Sequence, residues 1–192
     1  MKKIIAVLSF TIILSTSVYA TDKMKPMDVY NTMLFLLKGE WSLSSQTEQR
    51  DTTGAYKDKS ISHLVGTGST AIAYKVIARG TTLQEDLFTN TSKEMVTMYH
   101  CNNFKDCTDL KATHYCAKQN QPQFLLNTKE TTEDKIVFDC NMKTDLCNSN
   151  EDHVHKIIHE FSDDGEHLKS SYLGWTNQKL NKKNSIYHFD KK

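Results

Sequence analysis

The chain has 192 residues, with 24 lysines and arginines against 23 aspartates and glutamates and a formal net charge of +1. Acidic and basic residues are interspersed, without a basic face or a Lys/Arg run beyond the C-terminal pairs, which argues against nucleic acid and anionic membrane as partners.

Residues 1–20, MKKIIAVLSFTIILSTSVYA, start with two lysines, continue through an apolar middle and end in small residues. Val18 and Ala20 fit the −3 and −1 positions of a secretory cleavage site, which predicts a mature chain from Thr21. The apolar run is short for a membrane span and no second one follows, so stable membrane insertion is not expected. The signal has a bacterial form, and the expectation is periplasm or secretion for a single domain over residues 21–192.

Pro26 to Lys38 carries Met27, Tyr30, Met33, Leu34 and Leu37 at helical spacing, with Pro26 near the start and Gly39 past the end. This predicts a short amphipathic helix serving as a lid or plug. Gly39 to Leu43 opens the first strand, and residues 51–68 read as a long polar loop. From Ser69 the pattern is repeatedly β, with strands predicted at 70–79, 82–89, 94–101, 109–117, 122–127, 135–140, 153–162, 166–175 and 184–190. Turns fall at Arg79-Gly80, Asn90-Thr91, Lys129–Glu133 and Asp163-Asp164-Gly165. The fold class is all-β: an antiparallel up-and-down barrel of about ten strands, since closure removes exposed sheet edges.

All five cysteines follow the signal segment. In an oxidising compartment the spacing suggests staples Cys101–Cys107 and Cys140–Cys147, with Cys116 unpaired. The alternative, zinc held by C-x5-C and C-x6-C, departs from the spacing of common zinc modules and is disfavoured by export. Cys116 reads as a small buried apolar residue ahead of a nucleophile.

Alternation of side chains assigns an inner face strand by strand. It places Ile72, Tyr74 and Val76 inside, then Leu83, Glu85 and Leu87, then Val96, Met98 and His100. On later strands Leu110, Ala112, His114 and Cys116 point in, followed by Ile136, Phe138 and Cys140, and then His153, His155, Ile157, His159 and Phe161. Five histidines and one glutamate thus share one expected interior.

Such an interior has a bland reading, in which polar residues are satisfied by hydrogen bonds and water. It also has four alternatives. A binding cavity would hold a small, at least partly apolar molecule, with polar contacts from Glu85, His100, His114, His153 and His155, and Tyr99, Tyr115 and Gln121 near the rim. A metal-dependent enzyme would hold its metal with three histidines from among His100, His114, His153 and His155, the last two emerging about 6.6 Å apart along their strand, with Glu85 handling a proton. A haem-binding barrel of nitrobindin type would use the same histidines. A structural or protein-interaction module would need no ligand.

The stretch Leu36-Leu37-Lys38-Gly39-Glu40-Trp41 resembles the Gly-x-Trp strand of lipocalin-like, or calycin, barrels. The blocks Glu85–Phe88, Glu94–His100, Thr113–Cys116, Asn120–Pro122 and His153–His155 are similar to those of an uncharacterised group of exported bacterial lipocalin-like proteins, over roughly residues 34–178. The resemblance implies a calycin-like barrel with an internal cavity and no established activity. It also implies a basic residue from the last strand set against Trp41. Arg50 and Arg79 are the only arginines, so the candidates are Lys179, Lys182 and Lys183.

Overall fold

The computed structural model describes residues 23–46, 59–103 and 105–192. The predicted signal segment, Arg50 and residues 51–58 of the polar loop lie outside the described residues. Helix α1 (Pro26–Leu36) starts with Pro26 in its first turn and stops where Leu37 N–H closes on Met33 and Gly39 takes φ +123°.

Ten strands follow as a meander: β1 (Gly39–Leu43), β2 (Thr70–Ile77), β3 (Thr82–Leu87), β4 (Met95–Cys101), β5 (Leu110–Tyr115), β6 (Gln123–Leu126), β7 (Lys135–Cys140), β8 (His153–Phe161), β9 (His167–Thr176) and, after the two-residue β10 (Lys179–Leu180), β11 (Ser185–Lys191). Each wall strand pairs antiparallel with its neighbour, and β11 returns to β1, so the sheet closes into a barrel. The predicted strands are all present, with ends shifted by a few residues. Helix α2 (Asp145–Asn148), a single turn between β7 and β8, was not expected from the sequence.

α1 lies against β4 and β5 at one end of the barrel. Its Val29 and Met33, with Leu37 just beyond, are fully buried, and the Tyr30 hydroxyl donates to the Gly80 carbonyl in the β2–β3 turn. Burying three such side chains is worth several kcal/mol, at roughly 1.5–3 kcal/mol each, which fixes the helix as a plug. Beside it sits Trp41, fully buried, its indole N–H donating to the Leu37 carbonyl at 2.9 Å. The basic partner of Trp41 does come from the last strand, but it is Lys191, whose ammonium lies 5.4 Å from the ring centroid. Lys179, Lys182 and Lys183 belong to the opposite end, around β10, and do not reach it.

Both expected disulfides are formed, Cys101–Cys107 and Cys140–Cys147, and Cys116 is free. The first staples the β4–β5 turn beside α1, and the second ties α2 to the end of β7 at the open end of the barrel. Among the described residues no helix is long and apolar enough to cross a membrane.

Candidate functional site

The barrel interior is organised on Glu85 of β3, which is fully buried. Its carboxylate accepts three hydroxyl protons: from Tyr99 of β4 at 2.7 Å, Tyr172 of β9 at 2.8 Å and Thr97 of β4 at 3.0 Å. The Tyr74 hydroxyl faces it too, without meeting hydrogen-bond geometry. Burial pushes the carboxyl above the usual carboxylate range, and the hydroxyl donors pull back against that rise.

Because each hydroxyl has one proton, these bonds fix the tautomers of two histidines. Thr97 donates to Glu85, so it receives Nδ1–H of His114 at 2.8 Å. Tyr99 donates to Glu85, so it receives Nε2–H of His159 at 2.9 Å, and His159 Nδ1 accepts from Ser170 at 2.9 Å. Both imidazoles are neutral: burial depresses His114 to about 4 and His159 to about 3. The proton-donor chain therefore runs Ser170, His159, Tyr99, Glu85 from one side and His114, Thr97, Glu85 from the other. Within this hydrogen-bonded chain His114 Nε2, a buried lone pair, has no partner among the described residues.

The sequence-derived inner face holds for Glu85, His114 and His159 and fails on β4. There Thr97 and Tyr99 are buried, and Val96, Met98 and His100 lie on the other face. The hydrophobic alternation misled because a buried carboxylate on the neighbouring strand needs hydroxyl donors opposite it; Glu85 pairs with Thr97. Tyr99, expected near the rim, is fully buried at the centre. His100 instead turns its Nδ1 to the Cys101 carbonyl at 3.0 Å. Tyr115 is 45 % exposed, and Gln121 is exposed at the open end.

His153 and His155 are also placed differently from expectation. The β8–β9 register slips between Val154 and Lys156, leaving His155 as an extra residue in a bulge. The two rings meet each other, His153 Nε2 to His155 Nδ1 at 2.9 Å, and His155 stacks on Trp175 at 3.8 Å with 12° between planes. They stand apart from the Glu85 chain, so His100, His114, His153 and His155 do not converge on one point. Among the described residues, one trio of metal-ligating type comes together: Cys140, His153 and His155.

The open end, opposite α1, contains a cavity of about 180 Å³. Met95, Cys116, Val154, Tyr172 and Tyr187 form its apolar wall, and Lys93, Lys118 and Lys183 contribute to its lining with Asn181, Asn184 and Ser185. Lys118 is held by Asp152 at 2.5 Å. Tyr172 is the link inward, since it lines the cavity, its hydroxyl binds Glu85, and the His114 ring lies 5.8 Å from its ring between centroids. Sequence reasoning missed Tyr172 and Ser170. The signal was available in β9, where an outward Lys169 turns Leu168, Ser170 and Tyr172 inward.

No protein-family model matches the chain, and no curated protein matches it significantly. The barrel is consistent with a calycin-like fold on its architecture alone.

Proposed function

We propose that this protein is an exported binding protein that takes a small, partly apolar molecule into the open end of the barrel. The observation that carries the reading is Tyr172, which lines the cavity and anchors on Glu85 with its hydroxyl. The walls favour an apolar body, and the lysines and amides of the lining favour a polar or anionic group. His114 Nε2, buried beside Tyr172 and outside the cavity lining, supplies a lone pair for a small buried donor such as water. Glu85 serves as the anchor of the wall, since its hydroxyl donors already occupy it. Two disulfides and the form of residues 1–20 support export and the removal of that segment, leaving the barrel as the mature domain.

A volume of about 180 Å³ lies below the roughly 300–1,000 Å³ of pockets for drug-sized ligands, which suits a compact molecule and is too small for haem. The test is native mass spectrometry of protein purified from its periplasm or medium. It is followed by NMR titration with benzoate, indole and a short aliphatic carboxylate. Saturable shifts at the amides of Cys116, Val154 and Gly174 support the reading. No bound mass together with no saturable shift at those amides defeats it.

A further inference from the structure

We infer that the Cys140–Cys147 disulfide masks a metal site, and that its reduction creates a Cys2His2 centre from Cys140, Cys147, His153 and His155. This inference is independent of the cavity and of what it binds.

The geometry starts from the two histidines. His153 Nδ1 lies 2.8 Å from the Glu151 carbonyl, which can only accept, so Nδ1 carries the proton and Nε2 presents a lone pair. That lone pair accepts the Nδ1–H of His155 at 2.9 Å, a proton that His155 passes to its Nε2 when Nδ1 takes a metal, and Cys140 Sγ completes a trio of residues whose donor atoms all lie within 4.8 Å of one another. A histidine whose second ring N–H is held by a backbone carbonyl is the usual arrangement around a metal, because the carbonyl fixes both tautomer and ring direction. His155 is held as well, by its stack on Trp175. The donor atoms of a tetrahedral zinc site with these ligand types stand about 3.3–3.7 Å apart. The trio therefore needs a small contraction of the sulfur, a small opening of the histidine pair and a tautomer change at His155.

What the oxidised protein lacks is a thiolate. Cys140 Sγ is bonded to Cys147 Sγ, and a disulfide sulfur is a poor ligand for a divalent ion. The reductant is a dithiol. Its thiolate attacks one sulfur, the Cys140–Cys147 bond breaks and a mixed disulfide forms; its second thiol then displaces the protein sulfur and the reductant leaves as a disulfide. Two electrons and two protons pass to the protein, giving two thiols, and both protons are released when the thiolates take the metal. Cys147 is the fourth donor because the broken bond leaves its sulfur next to that of Cys140. Reduction on its own opens the tie between α2 and β7, and metal binding replaces it. The bulge at His155 then has a role, since it turns this residue to the donor set.

The test is cobalt(II) titration of the whole mature chain, oxidised and after dithiothreitol reduction with anaerobic removal of the reductant. The reduced protein is expected to bind one equivalent, with the visible bands of a tetrahedral cobalt–thiolate centre and quenching of tryptophan fluorescence. The oxidised protein is expected to bind about 100-fold more weakly or worse. The variant C101S/C107S should keep the difference, and H153Q/H155Q should lose the bands and the quenching while far-UV circular dichroism shows the barrel intact. Equal affinity in the oxidised and reduced wild type overturns the inference without recourse to any variant. Cobalt–thiolate bands that survive in H153Q/H155Q, or that vanish in C101S/C107S, overturn it as well.

Discussion

The hydroxyl of Tyr172 donates to Glu85 at 2.8 Å across the barrel, joining the ninth strand to the third and the cavity wall to the buried carboxylate. A carboxylate in a fully buried position is costly unless hydrogen bonds replace water. Here the replacement is drawn from two strands, β4 and β9, so the polar centre also fixes which strands face one another. An apolar core would not discriminate between registers in this way.

Removing one donor should therefore cost more than an average hydrogen bond. Tyr172→Phe leaves the carboxylate with one fewer partner and should destabilise the fold by roughly 1.5–3 kcal/mol, the range for bonds to charged groups. Glu85→Gln should cost a similar amount, because its amide nitrogen must face a hydroxyl that is also a donor. Urea unfolding followed by tryptophan fluorescence checks both. A change under about 0.5 kcal/mol in each, the scatter of ordinary surface substitutions, would show that the carboxylate is not the centre described.

The two buried histidines give the protein an acid limit. In the unfolded chain they titrate near 6.5, and in the fold they stay neutral down to about 4 for His114 and about 3 for His159. Between these values the unfolded state binds more protons, so stability is full above pH 6.5 and falls as pH drops. Each tenfold difference in proton affinity between the folded and unfolded states is worth about 1.4 kcal/mol, so His114 alone removes roughly 3 kcal/mol by about pH 4. Glu85 acts in the opposite sense, its raised value favouring the fold as pH falls through its own folded value to the unfolded one. The histidines are two and the carboxyl one, so the net expectation is a loss from about pH 7 to about pH 4. Unfolding free energies measured at both pH values should show it, and His114→Gln should reduce the slope.

How far the sequence led depended on which side chains betray their direction. Lys75, Lys111, Lys156 and Glu160 must prefer water, and the strands that carry them were phased correctly, as far as the bulge on β8. β4 has no charge between Met95 and Cys101 to set its phase. Its apolar residues alternate with Thr97 and Tyr99, and only the unseen neighbour Glu85 makes the polar set the inner one. The bulge at His155 was equally hidden, because one extra residue changes nothing in composition and reverses every side chain beyond it. The closing contact of Lys191 with Trp41 spans almost the whole chain and has no local signature.

The reversal on β4 can be tested directly. His100 is half-buried on the outer face, and its ring bond goes to the neighbouring Cys101 carbonyl. His100→Ala should change stability by less than about 0.5 kcal/mol, as for ordinary surface positions. Thr97→Val keeps the shape but strips the hydroxyl that bridges Glu85 and His114, leaving two buried groups short of a partner, and should cost about 2 kcal/mol or more. If His100→Ala were the more damaging of the two, the sequence-derived phase would have been the correct one.

Trp41 and Lys191 join the first and last strands at the plugged end, where the barrel closes. Lys191 is partly exposed, so Lys191→Met should cost only about 0.5–1 kcal/mol, the worth of a solvated cation over an indole ring. Trp41→Ala removes the largest fully buried side chain and its bond to the Leu37 carbonyl, and should cost roughly 3–5 kcal/mol. The double variant should fall short of the sum of the single ones by the pair energy, because without the indole the ammonium has nothing to lose. Thermal unfolding of the four proteins measures that coupling, and strict additivity would mean that the contact contributes nothing to closing the barrel.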